Sequence, residues 1–450
     1  MALVVKKFGG SSMGNLERIK LVAQRIAQGC ADGQQVVAVV SAMQGETDRL
    51  LQAAAALCAS PSPRETDQLL ATGEQVSAAL LALALGGLGV DAQSFTGTQL
   101  RLTTDGAFCR ARIHSLDGGP LLQALQAGRV GVATGFQGVD SAGNLTTLGR
   151  GGSDTSAVAI AAALHADECE IYTDVLGVYT ADPNICPRAR KLEVITYDEM
   201  MEMASLGAKV LQIRSVELAM NHRVKLRVRS TFSNDPGTLV VSERQGLEHI
   251  NVTGISHAEF EAKLTLRQVP DVPGTAARIF GALAVAGINV DVIVQNLSEA
   301  GLTDLSFTVG RAERPQAQQI VADIAEKIGA KRVEVADDIG KVSIVGVGMM
   351  SHPGVAAQMF AALEKANVNI QIITTSEIKV TCVVARADVR RAVVALHDAF
   401  ALHEPPRPLQ QDLPPPLPSA KRPAGAKKPP KKPAKKATKP GRPAAARRGP

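Results

Sequence analysis

One stretch in the second half of this chain occurs twice. PGTAARIFGALAVAGIN at 273–289 aligns without a gap to PGVAAQMFAALEKANVN at 353–369, with nine identities in 17 positions. A duplication of this kind limits the possible architectures more than any composition does, because the same small unit has to fold twice. Each copy reads as a strand, a Pro-Gly turn, a helix, and a further strand that begins at Asn289 or Asn369.

The first half of the chain, up to about Ser230, follows a different rule. Short β-branched runs alternate with Ala/Leu-rich stretches, the pattern of a parallel sheet covered by helices on both faces. Strands are expected at Leu3–Phe8, Gln35–Met43, Arg129–Phe136 and Glu168–Val175, and helices at Asn15–Gln28, Arg64–Leu85 and Ser153–His165. The polar, glycine-rich pieces fall at the ends of these elements. GGSSMG follows the first strand, SAMQGETD the second and TGFQGV the third, while TLGRGGSD precedes the Ser153 helix. In an open parallel sheet the strand C-termini share one rim, so these loops converge on one site.

Charge divides the chain again. The formal net charge is +6, yet Pro405–Pro450 holds 13 Lys/Arg, one acid and 14 of the 24 prolines. Residues 1–404 are therefore mildly acidic, and residues 404–450 form a Pro/Ala/Lys-rich tail expected to be disordered. Such a tail is a solvated extension or a weak contact for nucleic acid and other polyanions. Six scattered cysteines without CxxC pairs indicate reduced thiols and argue against zinc. No charge-free apolar run reaches the length of a membrane span, and MALVVKKFGG lacks the order of a secretory leader. The expectation is a cytoplasmic protein. Three Tyr, ten Phe and no Trp argue against a dedicated single-strand binder.

Several segments carry chemistry. KFGGSS sets Lys7 at a strand end, followed by Gly9 and Gly10, whose N–H groups suit phosphate oxygens. It is not a Walker A loop, since no GxxxxGK[ST] occurs. TLGRGGSDTSA offers Arg150 as a planar fork for a carboxylate, with Gly151, Gly152 and Asp154 at a helix start. Glu74 lies in an otherwise apolar helix and either faces solvent or turns inward to a ligand amine. YTDVLGVYTADP supplies hydroxyls, Asp174 and Asp182 after a strand. Alone, the Gly-Gly pair is also an ordinary turn and Asp154 an ordinary helix cap.

Together, KFGGSS, SAM with Thr47-Asp48, ATGEQ, GFQGV, TLGRGGSDTSA, YTDVLGVYTADP, GAKVL and RSTFSNDPGT closely resemble the bacterial aspartate kinases of the single-function type. The duplicated region resembles a pair of ACT modules, and the likeness covers about residues 1–403. It implies an α/β fold: an amino-acid-kinase-type open parallel sheet sandwiched by helices, then two ferredoxin-like βαββαβ ACT modules. The implied domains are 1–245 (catalytic), 246–335 and 336–403 (ACT), and 404–450 (tail). The implied reaction is phosphoryl transfer from ATP, with Mg²⁺, to L-aspartate.

By the same resemblance, Lys7 and Asp154 are catalytic. Thr47, Glu74, Arg150, Gly151, Gly152 and Ser153 hold aspartate. Lys7, Phe8, Gly9, Gly10, Ser41, Thr173, Asp174, Tyr179, Asp182 and Lys209 hold ATP, and no residue is assigned as a metal ligand. The family commonly has arginine at Asn184, so any nucleotide contact from there is lost. Effector positions in the first module are Asp271, Gly274, Thr275, Ala276, Asn289, Val290, Asp291 and Gln295. In the second they are Val355, Asn369, Ile370, Thr375 and Ser376. Lysine, threonine or both are the implied effectors, and pairing of ACT modules implies a homo-oligomer. Two alternatives stand beside this one. The first is another amino-acid kinase, disfavoured by the repeat. The second is a non-catalytic amino-acid sensor reporting to DNA through its tail, disfavoured by the retained Lys7, Glu74, Arg150 and Asp154.

Overall fold

A computed structural model describes residues 1–205, 210–242, 252–296, 301–352 and 354–405. Lys209 and the basic tail from residue 406 onward lie outside the described residues. The catalytic half runs β1 (Leu3–Phe8), α1 (Leu16–Ala31), β2 (Gln35–Val40), α2 (Glu46–Leu57), α3 (Pro63–Gly86) and β3 (Ala92–Phe95). It continues with β4 (Thr103–Thr104), β5 (Ile113–Ser115), α4 (Gly119–Gln126), β6 (Val130–Thr134), β7 (Gln137–Val139) and β8 (Leu145–Thr147). Then follow α5 (Gly152–Ala163), β9 (Glu168–Thr173), β10 (Val194–Thr196), α6 (Tyr197–Ser205), α7 (Ile213–His222), β11 (Leu226–Ser230) and β12 (Thr238–Val241).

Eight strands form one sheet in the order β10-β12-β11-β9-β1-β2-β6-β3. From β11 to β3 every pairing is parallel, and β12 runs against β11. Alternation along β2 shows why helices must cover both faces. Val37 and Val39 enter the core beside Val158 and Ile160 of α5, whereas Val36, Ala38 and Val40 meet Ile19, Val22 and Ile26 of α1. Each of these valines and isoleucines contributes about 1.5–3 kcal/mol on burial. Asn15 ends up as the cap of α1, its side-chain oxygen accepting the Arg18 N–H at 2.9 Å. A small second sheet has the order β5-β4-β7-β8, its strand β7 following directly on the C-terminal end of β6.

Among the described residues, α3 alone is long and apolar enough to cross a membrane. It instead packs against α1, α2, β3, β6 and β8, with Leu70, Ala78, Leu81 and Leu85 buried.

The regulatory half contains β13 (Gly254–Pro270), α8 (Thr275–Val285), β14 (Asp291–Gln295), β15 (Leu302–Gly310), α9 (Arg314–Ile328) and β16 (Arg332–Val345). It ends with α10 (Val355–Lys365), β17 (Ile370–Thr375), β18 (Lys379–Ala385) and α11 (Val389–Ala399). The repeat is structural as well as sequential. Gly274 (φ 94°) and Gly354 (φ 100°) start α8 and α10 in the same left-handed conformation. Ile279 and Leu283 are buried in one copy, Met359 and Leu363 in the other.

One detail differs from two consecutive βαββαβ units. Residues 336–403 supply only βαββα for the second module. The remaining strand is Gly254–Ala258, the first part of β13, which pairs antiparallel with Lys341–Val345. Further along, Glu261–Arg267 of β13 pairs with Arg332–Ile339 in the first module. Two long strands, kinked between Ala258 and Lys263, thus serve both modules in one six-stranded sheet, β14-β15-β13-β16-β18-β17. Edge pairing explains this arrangement, since each half-strand would otherwise leave a row of unpaired backbone groups.

The kinase half grips this sheet through α6. Glu199 accepts from the Thr253 hydroxyl at 2.5 Å and the Val347 N–H at 3.2 Å, and Glu202 pairs with Lys379 at 2.7 Å.

Candidate active site

The rim of the parallel sheet holds a cavity of about 410 Å³. Four segments distant in sequence meet there: the end of β1, the β2–α2 loop, α3, and the β8–α5 loop. Lys7, Gly10, Ser41, Thr47, Glu74, Arg150, Gly151, Gly152, Ser153 and Asp154 all line it, as the motifs predict.

Lys7 is the penultimate residue of β1, in register with Val39 of β2 and Ile171 of β9. Its Nζ lies 2.6 Å from Asp154 Oδ1, and both side chains are about nine-tenths buried. Asp154 sits in the first turn of α5, where the helix dipole favours an anion. Lysine and carboxylate therefore hold each other at the mouth of a site suited to anions.

Glu74 is 3% exposed on α3. One carboxylate oxygen, Oε1, accepts the Ala42 N–H at 2.9 Å, and Oε2 has no hydrogen-bond partner. Burial pushes this carboxyl up to about 7, with the Ala42 N–H pulling the other way. A buried acid with one oxygen free beside a cavity is arranged for a cationic ligand group.

Gly151 has to be glycine. Its φ is 72°, and a β-carbon there would lie 2.0 Å from Gln212 Cγ. Gln212, at the start of α7, also lines the cavity, as do Ser11 and Phe136. Ser11 and Phe136 belong to KFGGSS and TGFQGV but were not among the candidate residues, and Gln212 lies in no motif.

The nucleotide-side residues divide. Phe8 points away from the cavity: its side chain is fully buried and stacked on Tyr172 at 4.8 Å, so only its backbone is left for a ligand. That backbone carbonyl accepts the Ser41 N–H. Gly9, whose N–H donates to Tyr172 O, lies beside the cavity on the same rim as Thr173 and Asp174 but does not line it. Tyr179 forms a backbone bridge with Lys191, and the Asp182 carboxylate accepts from the N–H and side-chain amide of Asn184. Neither lines the cavity.

A smaller cavity of about 100 Å³ opens in the first regulatory module. Asp271, Gly274, Thr275, Ala276 and Gln295 line it, at the N-terminus of α8. Asn289 and Val290 do not. Asp291 is engaged elsewhere, with the buried Lys341 ammonium at 2.5 Å, which also meets Glu261 at 3.0 Å. In the second module Val355 is a core side chain, while Asn369, Thr375 and Ser376 are exposed and Ile370 packs against the core. Among the described residues the one group with metal-ligand spacing is His397, Asp398 and His403. Asp398 there already pairs with Arg188 at 2.9 Å, and His397 Nε2 meets the Thr180 hydroxyl at 3.0 Å.

Known proteins share this sequence pattern and fold. Residues 2–230 match the amino acid kinase family, and residues 267–323 and 342–400 each match the ACT domain. An aspartate kinase of Stutzerimonas stutzeri is 52% identical over 406 residues, covering 90% of this chain and 98% of that one. The crystal structure of E. coli aspartokinase III with aspartate and ADP (R-state) superposes with a TM-score of 0.75 at 27% identity. That enzyme with lysine and aspartate (T-state) gives a TM-score of 0.69. Both alignments cover 88% of this chain and 99% of the other. Sequence, fold and the convergence of Lys7, Glu74, Arg150 and Asp154 agree: the chain belongs to the ATP-dependent aspartate kinases, within the amino acid kinase family.

Proposed function

We propose that this chain transfers the γ-phosphoryl group of MgATP to the β-carboxylate of L-aspartate, giving 4-phospho-L-aspartate and ADP. The observation that carries this reading is the buried Lys7–Asp154 pair facing Glu74 across one cavity. A β-carboxylate has an ordinary pKa near 3.9 and is ionised at neutral pH. It attacks phosphorus directly, the bond to the β-phosphate oxygen breaks, and no general base is needed. The chain's task is to bring two anions together.

Glu74 Oε2 takes the substrate's α-ammonium, Arg150 its α-carboxylate, and the Thr47 hydroxyl assists. Gly151, Gly152 and Ser153 close around it. Gly9, Gly10, Ser41, Thr173 and Asp174 border the nucleotide, with Tyr179, Asp182 and Lys209 further along that side. Magnesium fits as a passenger on the ATP phosphates, the usual manner of its binding. Three carboxylates line the cavity: Asp154 is held by Lys7, Glu74 accepts from Ala42, and Asp48 is exposed to solvent, so the ion is assigned to the ATP phosphates. Incubation with MgATP, L-aspartate and hydroxylamine should yield aspartyl hydroxamate. None at any aspartate concentration ends this reading.

Lysine, threonine or both are the proposed effectors, acting at the cavity bounded by Asp271 and Gln295 as feedback on the amino acids made from this product. The lysine-bound relative supports lysine first. Coupling of about 1–3 kcal/mol would lower aspartate affinity roughly 5- to 150-fold. Assays with lysine, threonine and the pair should show inhibition by at least one of them. Activity indifferent to all three would remove the proposal.

Self-association follows from the edge strands β14 and β17, where Ile293 and Ile373 are about half exposed. Light scattering at assay concentration should give a multiple of 47.1 kDa. A cytoplasmic location belongs to the same reading, as all six cysteines are free thiols.

A further inference from the structure

Asp67 is the least explained charge in the catalytic half. It is fully buried on α3, seven residues before Glu74 and so on the same helix face. It does not line the cavity. Its Oδ2 accepts the Thr147 N–H at 2.8 Å and the Cys109 N–H at 2.9 Å, and its Oδ1 accepts the Thr147 hydroxyl at 2.6 Å. A buried carboxylate with three donors is well satisfied, yet an apolar side chain would avoid the desolvation altogether. Its presence calls for a reason beyond filling space.

The partners supply that reason. Thr147 is the last residue of β8, three before Arg150, and Cys109 belongs to the loop packed beneath that turn. Thr147 O accepts the Ala111 N–H at 2.9 Å, and Arg214 joins the two segments by donating to Leu148 O at 2.9 Å and Ala111 O at 2.8 Å. Gly149 approaches Cys109 so closely that a β-carbon would sit 3.0 Å from its carbonyl oxygen. The segment carrying Arg150 is thus tied at its root to the same helix that presents Glu74.

We propose that Asp67 is a positioning residue for aspartate recognition. It fixes the β8–α5 loop against α3, so that Arg150 and Glu74 keep the separation that one amino acid's carboxylate and ammonium require. This rests on the assignment of Arg150 and Glu74 to aspartate made above. Misplacement of a binding group by an ångström is enough to cost one to two orders of magnitude, and shells that orient binding groups act on this scale.

Steady-state kinetics on the full chain tests it. Asp67→Ala should raise the aspartate KM about 30-fold, with kcat and the ATP KM within about twofold. Asp67→Asn keeps the shape and loses the charge assistance, and should raise the aspartate KM about threefold. Thr147→Val removes one donor and should do the same. These two variants carry the test if Asp67→Ala fails to fold. In an Arg150→Gln background Asp67→Asn should add less than about 1.5-fold, because the group it positions is gone. A kcat that falls with the aspartate KM unchanged, equal increases in both KM values, or full additivity with Arg150→Gln overturns the proposal. An Arg150→Gln enzyme with unaltered aspartate KM defeats the reading of Arg150 instead, and the KM–kcat split then decides Asp67 alone.

Discussion

Replacing Lys7 with alanine should lower kcat about 10³-fold while the aspartate KM moves by less than about threefold. The magnitude follows from removing a preorganised charge from a site that excludes water, an effect of about 10²–10³ for a single donor elsewhere. Here the loss is compounded. Asp154 lies 2.6 Å from the ammonium and is about nine-tenths buried, so Lys7→Ala leaves an unpaired carboxylate facing the incoming triphosphate. The double variant Lys7→Ala/Asp154→Asn should therefore bind MgATP more tightly than Lys7→Ala alone while remaining as slow. Single-turnover rates and nucleotide titrations separate the two effects. A Lys7→Ala enzyme with unchanged kcat defeats the assigned role, and a double variant no better at binding ATP removes Asp154 repulsion from the account.

Lys7, Gly10, Arg150 and Asp154 were legible in the sequence because each belongs to a contiguous motif at an element end. Local rules of turns and caps, with the rim rule for parallel sheets, bring such motifs together. Strands and helices of the catalytic half fall within a few residues of their expected bounds; Leu3–Phe8 coincides. Gln212 and Asp67 were not legible. Gln212 reaches the cavity only because α7 packs on α5, and Asp67 reads from sequence like any polar residue near the start of a helix. Phe8 shows what motif membership leaves open: strand alternation turns its ring into the core beside Tyr172, so any contact with a ligand would be through its backbone.

The first helix of each duplicated unit was visible, and its glycine turn and buried positions recur from one copy to the other. What identity between copies does not encode is which strand completes which copy. Gly254–Ala258 pairs with Lys341–Val345 although the whole first module lies between them in sequence, a choice made by edge closure in three dimensions. The engagement of Asp291 was hidden for a similar reason, since its partner Lys341 comes from the long strand that joins the modules.

With Glu74 proposed to hold the substrate's ammonium, aspartate affinity should fall as the pH drops through neutrality. Burial holds its carboxyl at about 7. The substrate's α-ammonium needs the ionised form, so a proton and aspartate compete for one group. The apparent aspartate KM should be level above about pH 7.5 and rise about tenfold for each unit below 7. Bound ammonium keeps Glu74 ionised, so kcat stays flat across the same range. Glu74→Gln removes the titration: its aspartate KM is about 10²-fold high at pH 8 and constant with pH, approaching the wild-type value near pH 5.5. Stability moves the opposite way. The folded carboxyl sits above its ordinary 4.5, so ionising it disfavours the fold, and stability from this group is lost as pH rises from about 4.5 to about 7. The difference is on the order of 3 kcal/mol. At pH 8 the Glu74→Gln protein should therefore melt above the wild type while binding aspartate far more weakly. A wild-type KM flat from pH 5.5 to 8, or a glutamine variant that still titrates, assigns the substrate's ammonium to another group.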